Sequence, residues 1–252
     1  MPISENDWIK IDYTGRLKEN SKIFDTTLED VARNEQIFDD KRNYSPLLCR
    51  AGDEKFLIPG LARHLVGLEL NSTKTFDIPV KDAYGVRDVN KIERVPTKKL
   101  RNANLDPRVG NRVQISGKTG TIIMSGGGRT RIDFNHPLAG KDLVFDVTVT
   151  EHITDDDQIR KEIISRRFPG VNFDDITIEV TEDPKTITIS LPNYLIFMEG
   201  LAISKYTLGT DLHEFLEFEL VKFQDIFDYQ KKEEQETSEE ESEEKINEET
   251  DS

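Results

Sequence analysis

The chain has 252 residues, 35% hydrophobic, 33% charged and 8% aromatic, and a formal net charge of −15 from 34 Lys and Arg against 49 Asp and Glu. At roughly 100–200 residues per domain this is one to three domains with enough apolar material for a core, which excludes a wholly disordered chain. No long basic face is evident, so nucleic acid is not expected as a partner, and no stretch approaches the ~18 apolar residues of a membrane span. The opening residues Met1-Pro2-Ile3-Ser4-Glu5 lack a basic and then apolar leader, so a soluble, cytoplasmic chain is expected. Trp8, Lys10 and Asp12 alternate with Ile9, Ile11 and Tyr13, the period of a strand. Thr14-Gly15 reads as the break, and Ile23-Phe24-Asp25 as the resumption. Thr26…Glu29 and Thr27…Asp30 have the spacing of an N-terminal capping box, and Leu28, Val31 and Ala32 recur at helical spacing after it.

Pro46-Leu47-Leu48-Cys49 reads as a strand. Leu61 and Leu65, at i and i+4, predict a short helix that Gly67 stops. Lys74 to Val80 alternates as a strand, and Asp82-Ala83-Tyr84-Gly85 is a turn. From residue 105 to 137 the character changes. Val113, Ile115, Ile122 and Met124 sit in short strands, Gly117, Gly120 and Gly126-Gly127-Gly128 mark hairpin turns, and Arg131 to Phe134 alternates again. Leu143 to Val149 is a strong strand. A further unit opens at Thr154, where Asp155, Asp156 and Asp157 suit the positive end of a helix dipole, and Pro169-Gly170 ends that helix. Thr177–Thr181 and Thr186–Leu191 form a hairpin around Asp183-Pro184. Leu195 to Leu208 is predicted as a helix. Leu212 to Phe223 fits either a helix or a strand, and a strand is preferred. Residues 230–252 hold three lysines and eleven acids with one aliphatic residue, Ile246, so a disordered tail is expected there, serving solubility or a partner.

One cysteine, Cys49, excludes an internal disulfide and a Cys-based zinc cluster. His64, His136, His152 and His213 are scattered, with none at metal-ligand spacing. Gly117-Lys118-Thr119 resembles the end of a phosphate loop, but the position five residues earlier is Arg112 rather than glycine, and Ile122-Ile123 signals a strand rather than a helix. Neither a G-x-S-x-G elbow nor an H-E-x-x-H pair is present. No cofactor and no metal are expected. What remains is a set of aromatic and aliphatic residues in short specific contexts, which periodicity alone reads as ordinary core.

Five of those contexts carry a resemblance. Ile11-Asp12-Tyr13-Thr14-Gly15, Phe24-Asp25-Thr26-Thr27, Leu57-Ile58-Pro59-Gly60-Leu61, Asp82-Ala83-Tyr84-Gly85 and Leu143-Val144-Phe145-Asp146-Val147 resemble, in order and spacing, the FK506-binding-protein class of peptidyl-prolyl cis-trans isomerases. The long interval between Tyr84 and Phe145 is similar to the SlyD-like branch, which carries a chaperone module in the flap. Asn135-His136-Pro137-Leu138-Ala139-Gly140-Lys141 looks like that branch's return sequence, and Arg87-Asp88 and Arg94-Val95-Pro96 like its exit. The unit from residue 154 resembles the C-terminal domain of long archaeal members.

The resemblance implies an α+β fold: an FKBP-type curved antiparallel sheet around a short helix, with a small β-rich domain inserted in the flap and a C-terminal α/β domain. The implied division is 1–96 with 138–153 for the isomerase domain, 97–137 for the insert, 154–229 for the C-terminal domain and 230–252 for the acidic tail. Tyr13, Phe24, Leu57, Ile58, Tyr84 and Phe145 would line a proline pocket. Leu61 would form its floor, where many relatives have tryptophan, and Asp25 would accept a hydrogen bond at the rim. Ile92 and Val95 would face the pocket from the flap. In the insert, Ile122, Met124, Ile132 and Phe134 would contact unfolded polypeptide, or else form that module's own core. The implied partners are unfolded or proline-containing polypeptides, with homodimerisation through residues 154–229 a further reading. A holdase chaperone with vestigial isomerase activity is the alternative function.

Overall fold

The computed structural model describes residues 2–40 and 42–227, so the acidic tail expected at 230–252 lies outside the described residues. The chain divides into two units, residues 1–154 and 155–252.

In the first unit a five-stranded sheet is built from β1 (Trp8–Leu17), β2 (Ile23–Thr26), β3 (Leu47–Arg50), β4 (Thr73–Ile78) and β9 (Leu143–Ile153). Its order is β2-β1-β9-β4, with β3 paired to the first half of β1. Alternation puts Ile9, Ile11 and Tyr13 of β1 on the buried face with Leu143, Phe145, Val147 and Val149 of β9. The helix α2 (Pro59–Leu65) lays Leu61 and Leu65 against that face. Each such side chain contributes on the order of 1.5–3 kcal/mol by leaving water. Pro59 supplies a preset φ at the first helical position. A Cβ on Gly60 would stand 2.7 Å from Ile78 Cγ2, so glycine there lets the helix sit directly on the end of β4.

The strand β1 does not break at Gly15. It runs to Leu17 and pairs with β9 throughout, with Gly15 opposite Phe145. A Cβ at Gly15 would be 2.8 Å from Phe145 Cε1 and 2.8 Å from Phe24 Cζ. Glycine here makes room for two rings rather than a turn. The helix α1 (Glu29–Asn34) starts without a capping box, because the Thr26 hydroxyl donates to the Tyr13 carbonyl and the Thr27 hydroxyl to Asp12.

Between β4 and β9 the chain forms a separate four-stranded antiparallel sheet, in the order β5-β8-β7-β6, from β5 (Ile92–Pro96), β6 (Arg112–Ile115), β7 (Lys118–Gly126) and β8 (Arg129–Asp133). A short helix α3 (Thr97–Asn102), not anticipated from the sequence, follows β5. The small sheet therefore begins at Ile92, five residues before the boundary read at residue 97, because β5 pairs along its length with β8. Its core is Val95, Leu100, Val113, Ile122 and Ile132. Gly120 is a strand residue rather than a turn, since a Cβ there would be 2.7 Å from both Ile132 and Phe134. Lys118 and Thr119 also lie in β7, consistent with a hairpin and not a phosphate loop.

In the second unit, α4 (Asp156–Arg167) is capped by Asp155, whose carboxylate accepts from the Asp157 N–H at 2.9 Å. The strands β10 (Thr177–Glu182) and β11 (Lys185–Pro192) form the expected hairpin. The helix α5 (Leu201–Leu216) then crosses to β12 (Leu220–Ile226), which pairs parallel to β11. The predicted helix at 195–208 is thus displaced towards the C-terminus, and the ambiguous run is divided. Leu208 and Leu212 bury one face of α5, Glu217 adopts a left-handed conformation that ends it, and Phe218 is buried ahead of the strand. An Arg167–Asp211 ion pair ties α4 to α5. No helix among the described residues is long and apolar enough to cross a membrane.

Candidate active site

A cavity of about 430 Å³ opens between the large sheet and α2, lined among others by Tyr13, Phe24, Asp25, Leu57, Ile58, Leu61, Tyr84 and Phe145. These are eight of the ten residues expected from the sequence to face the pocket, and four separate elements and one turn bring them together. Tyr13 comes from the middle of β1, Phe24 and Asp25 from β2, Phe145 from β9, and Leu57, Ile58 and Leu61 from the entry and first turn of α2. Tyr84 stands in the turn that follows β4. Phe145 packs edge-on against Phe24, with ring centroids 5.7 Å apart, and tilted against Tyr13 at 5.9 Å. These contacts fix three walls in one arrangement. Leu61, 2% exposed, closes the floor.

The rim is polar. The Tyr13 hydroxyl donates to Asp25 Oδ2 at 2.7 Å. Burial, and then the neighbouring Asp25 carboxylate, push the Tyr13 phenol above its ordinary range, so it stays a neutral donor. Arg42 pairs with Asp25 and reaches the Tyr13 hydroxyl at 3.4 Å. The result is a cation, a carboxylate and a phenol in one cluster beside an apolar hollow.

Tyr84 is held differently. Its ring stacks on His136 with centroids 3.8 Å apart and planes 7° from parallel. The His136 Nδ1 accepts from the Leu138 N–H at 3.2 Å, which favours the neutral ring with its proton on Nε2. Burial and then the Arg112 charge lower the His136 pKa in the same direction. Leu138 in turn packs on the core of the large sheet. The segment returning from the small sheet thus forms the back of one cavity wall.

Several residues were missed. Leu47, Glu54, Lys55 and Phe56 also line the cavity, and Arg42 completes the rim. Nothing in local periodicity marks Arg42, which lies in an irregular segment and gains its role only by folding back on Asp25. The sequence places His136 in the return segment, but nothing in that motif marks it as the support of Tyr84. Two expectations for this site are corrected. Val95 is buried in the core of the small sheet, and neither it nor Ile92 lines the cavity. The insert residues are not gathered on an open surface either. Ile122 and Ile132 are fully buried and Phe134 packs against them, because a module of this size needs them as its core. Met124 alone of the four is exposed, at 54%.

Comparison with known proteins gives two family matches. Residues 93–138 match a family described as FKBP26, IF domain, and residues 155–228 one described as FKBP26_C-terminal. The chain is 34% identical over 149 residues to the short-type peptidyl-prolyl cis-trans isomerase of Methanocaldococcus jannaschii, covering 59% of this chain and 93% of that protein. It is 32% identical over 135 residues to the FKBP-type 16 kDa peptidyl-prolyl cis-trans isomerase of Escherichia coli, covering 52% of this chain and 84% of that one.

Proposed function

We propose that this chain, which belongs to the FKBP-type peptidyl-prolyl cis-trans isomerase family, turns X–Pro bonds in the cavity walled by Tyr13, Phe24, Tyr84 and Phe145 and presents its small sheet, a SlyD-like insert in the flap, to unfolded polypeptide. The observation that supports the isomerase reading is that eight of the ten residues the resemblance implies for the pocket line a single apolar hollow with one polar edge.

The physics asks little more of the site. Amide resonance gives a rotational barrier of ~18–20 kcal/mol, and uncatalysed X–Pro bonds turn over tens to hundreds of seconds. Resonance places negative charge on the carbonyl oxygen, and the twisted transition state loses that charge separation. A dry cavity disfavours the planar, more polar state and so binds the twisted one better. A thousandfold acceleration needs only about 4 kcal/mol of such differential binding. In this reading the pyrrolidine ring rests on Leu61 between Phe145 and Tyr84, the Ile58 N–H holds a substrate carbonyl, and the Tyr13–Asp25–Arg42 cluster faces the peptide backbone. No proton needs to move.

The chaperone reading rests on the FKBP26, IF domain match and on Met124, a flexible and adaptable contact, standing exposed on the small sheet. Weak tethering beside a weak catalytic cavity raises the local concentration of a client's prolines. The exposed Phe197, Ile203 and Tyr206 of the second unit support the homodimer reading for residues 154–229, and a cytoplasmic setting fits a helper of folding. The test uses two substrates. Glu93 and Ile132 are register partners in β5 and β8, so residues 93–132 can be replaced by a short turn without stretching the chain. That variant should keep full turnover on a proline tetrapeptide and lose activity on a refolding protein. Tyr84→Ala and Phe145→Ala should lower both. Unchanged tetrapeptide rates in both aromatic variants would remove the isomerase assignment, and equal losses on both substrates in the turn variant would remove the second site.

A further inference from the structure

The small sheet has the opposite charge to the chain that carries it. Residues 92–133 hold nine Lys and Arg against three acids, Glu93, Asp106 and Asp133, inside a protein of net charge −15. Two of those acids are already engaged: Asp106 pairs with Arg108, next but one along the chain, and Asp133 with Arg87 from outside the sheet.

The cations are not spread evenly. Alternation in β5 and β8 sends Val95, Thr130 and Ile132 into the core and leaves Arg94, Arg129 and Arg131 on the outer face, and a bulge in β7 between the buried Ile122 and Met124 turns Met124 to that same face. The register makes one row of three: Arg94 opposite Arg131, and Arg131 opposite Met124. The next row places Arg129 between Pro96 and Gly126. Like charges directly opposite on a sheet are destabilising. Among the described residues, Arg94, Arg129 and Arg131 form no ion pair with an acid, and Arg131 Nε is buried without a hydrogen-bond partner. The face thus sets two like-charged arginines beside an exposed thioether, above a buried donor that has no partner.

We infer that this outer face is a docking surface for acidic polypeptide segments, with Arg94 and Arg131 taking a carboxylate and Met124 taking the apolar side chain beside it. Guanidinium presents a planar fork that matches a carboxylate bidentately. A carboxylate seated between two arginines removes their repulsion, and an extended segment offers an acid and an apolar residue within the reach of one row. The inference deepens the reading of the insert as a polypeptide-binding module and depends on it. Nucleic acid is the less favoured occupant. The rest of the chain is strongly acidic and repels a polyphosphate, and the aromatic residue of this region, Phe134, packs against the core of the sheet rather than offering a stacking platform.

The full chain should be titrated with three labelled, proline-free short peptides that share the same Leu and Val residues and carry Glu, Gln or Lys between them, with fluorescence anisotropy as the readout. At low salt the Glu peptide should bind about fivefold tighter than the Gln peptide, the scale of two solvent-exposed ion pairs, and the Lys peptide weakest. High salt should bring the Glu and Gln peptides together. Arg94→Gln with Arg131→Gln should do the same at low salt while sparing tetrapeptide turnover, and the salt series on the unaltered protein keeps the test decisive if that variant folds poorly. If the Gln peptide binds and the Glu peptide gains nothing, the charge reading is wrong and the polypeptide-binding module survives. Binding of none of the three refutes the module reading itself. An oligonucleotide that binds tighter than the Glu peptide and depends on the same arginines would replace the proposed occupant.

Discussion

Gly15 offers the sharpest test of how the cavity is built. Adding one methyl group, Gly15→Ala, puts a carbon 2.8 Å from the edges of both Phe145 and Phe24. Ordinary van der Waals contact begins near 3.4 Å, so each ring edge must retreat by about 0.6 Å. Phe145 is also wedged against Tyr13 and faces Phe76 across the β4–β9 pairing, which leaves the cavity as the direction of retreat. Overpacking of this kind costs roughly 1–3 kcal/mol of stability. Misplacement by ~1 Å can cost on the order of a hundredfold in rate, so kcat/KM on a proline tetrapeptide should fall about tenfold or more. Gly126→Ala is the control, because a Cβ there meets nothing within 4 Å. Urea denaturation gives the stability change and coupled-protease isomerisation the rate. A Gly15→Ala protein with wild-type kcat/KM would show that the two rings do not form the working wall.

Three further outcomes are expected. His136→Ala removes the stack behind Tyr84, a contact worth about 0.5–1.5 kcal/mol, so kcat/KM should drop roughly 2- to 10-fold and His136→Phe should restore most of it; an unaltered Ala variant would disconnect the return segment from the wall. The Arg16 guanidinium, and then the Thr75 hydroxyl, hold the Asp146 carboxyl below its ordinary 3.8. A carboxyl depressed in the folded state stabilises above its unfolded pKa and loses that contribution as pH falls through the folded one. Urea midpoints should therefore decline more steeply in acid for the wild type than for Asp146→Asn, and parallel profiles would contradict the assignment. Finally, Ile203 and Tyr206 stand exposed on one side of α5, so Tyr206→Glu should lower the sedimentation coefficient if that side joins two copies; a wild-type chain already monomeric at high concentration ends the dimer reading.

The cavity was legible because its residues occur in short contexts whose order the resemblance could match, and each then lands on a distinct element of one sheet and helix. Gly15 shows where such reading fails. A glycine after a β-branched residue carries the local signature of a turn, yet the fact that decides its role is the approach of rings from β2 and β9, which no window around residue 15 contains. Leu212 to Phe223 failed for a related reason. Apolar residues there satisfy both periods, and only Glu217, in a left-handed conformation, separates the helix from the strand. The insert stayed open between two readings for want of pairing: whether Ile122 and Ile132 serve a client surface or the module's own core cannot be settled from the sequence, because the amount of core a four-stranded sheet requires is not visible before its strands are paired.

The pairing of β1 with β9 has a consequence for synthesis. Arg16 and Asp146 meet across 130 residues, so the first strand of the large sheet waits for one of the last. Every strand of the small sheet lies between those two. As the polypeptide leaves the ribosome, the small sheet has all its partners by Asp133, about 20 residues before Ile153 completes β9. At ~5–20 residues per second that is a delay of roughly one to four seconds. The enclosed module matures first, and the enzyme that surrounds it in sequence can only close around a finished passenger.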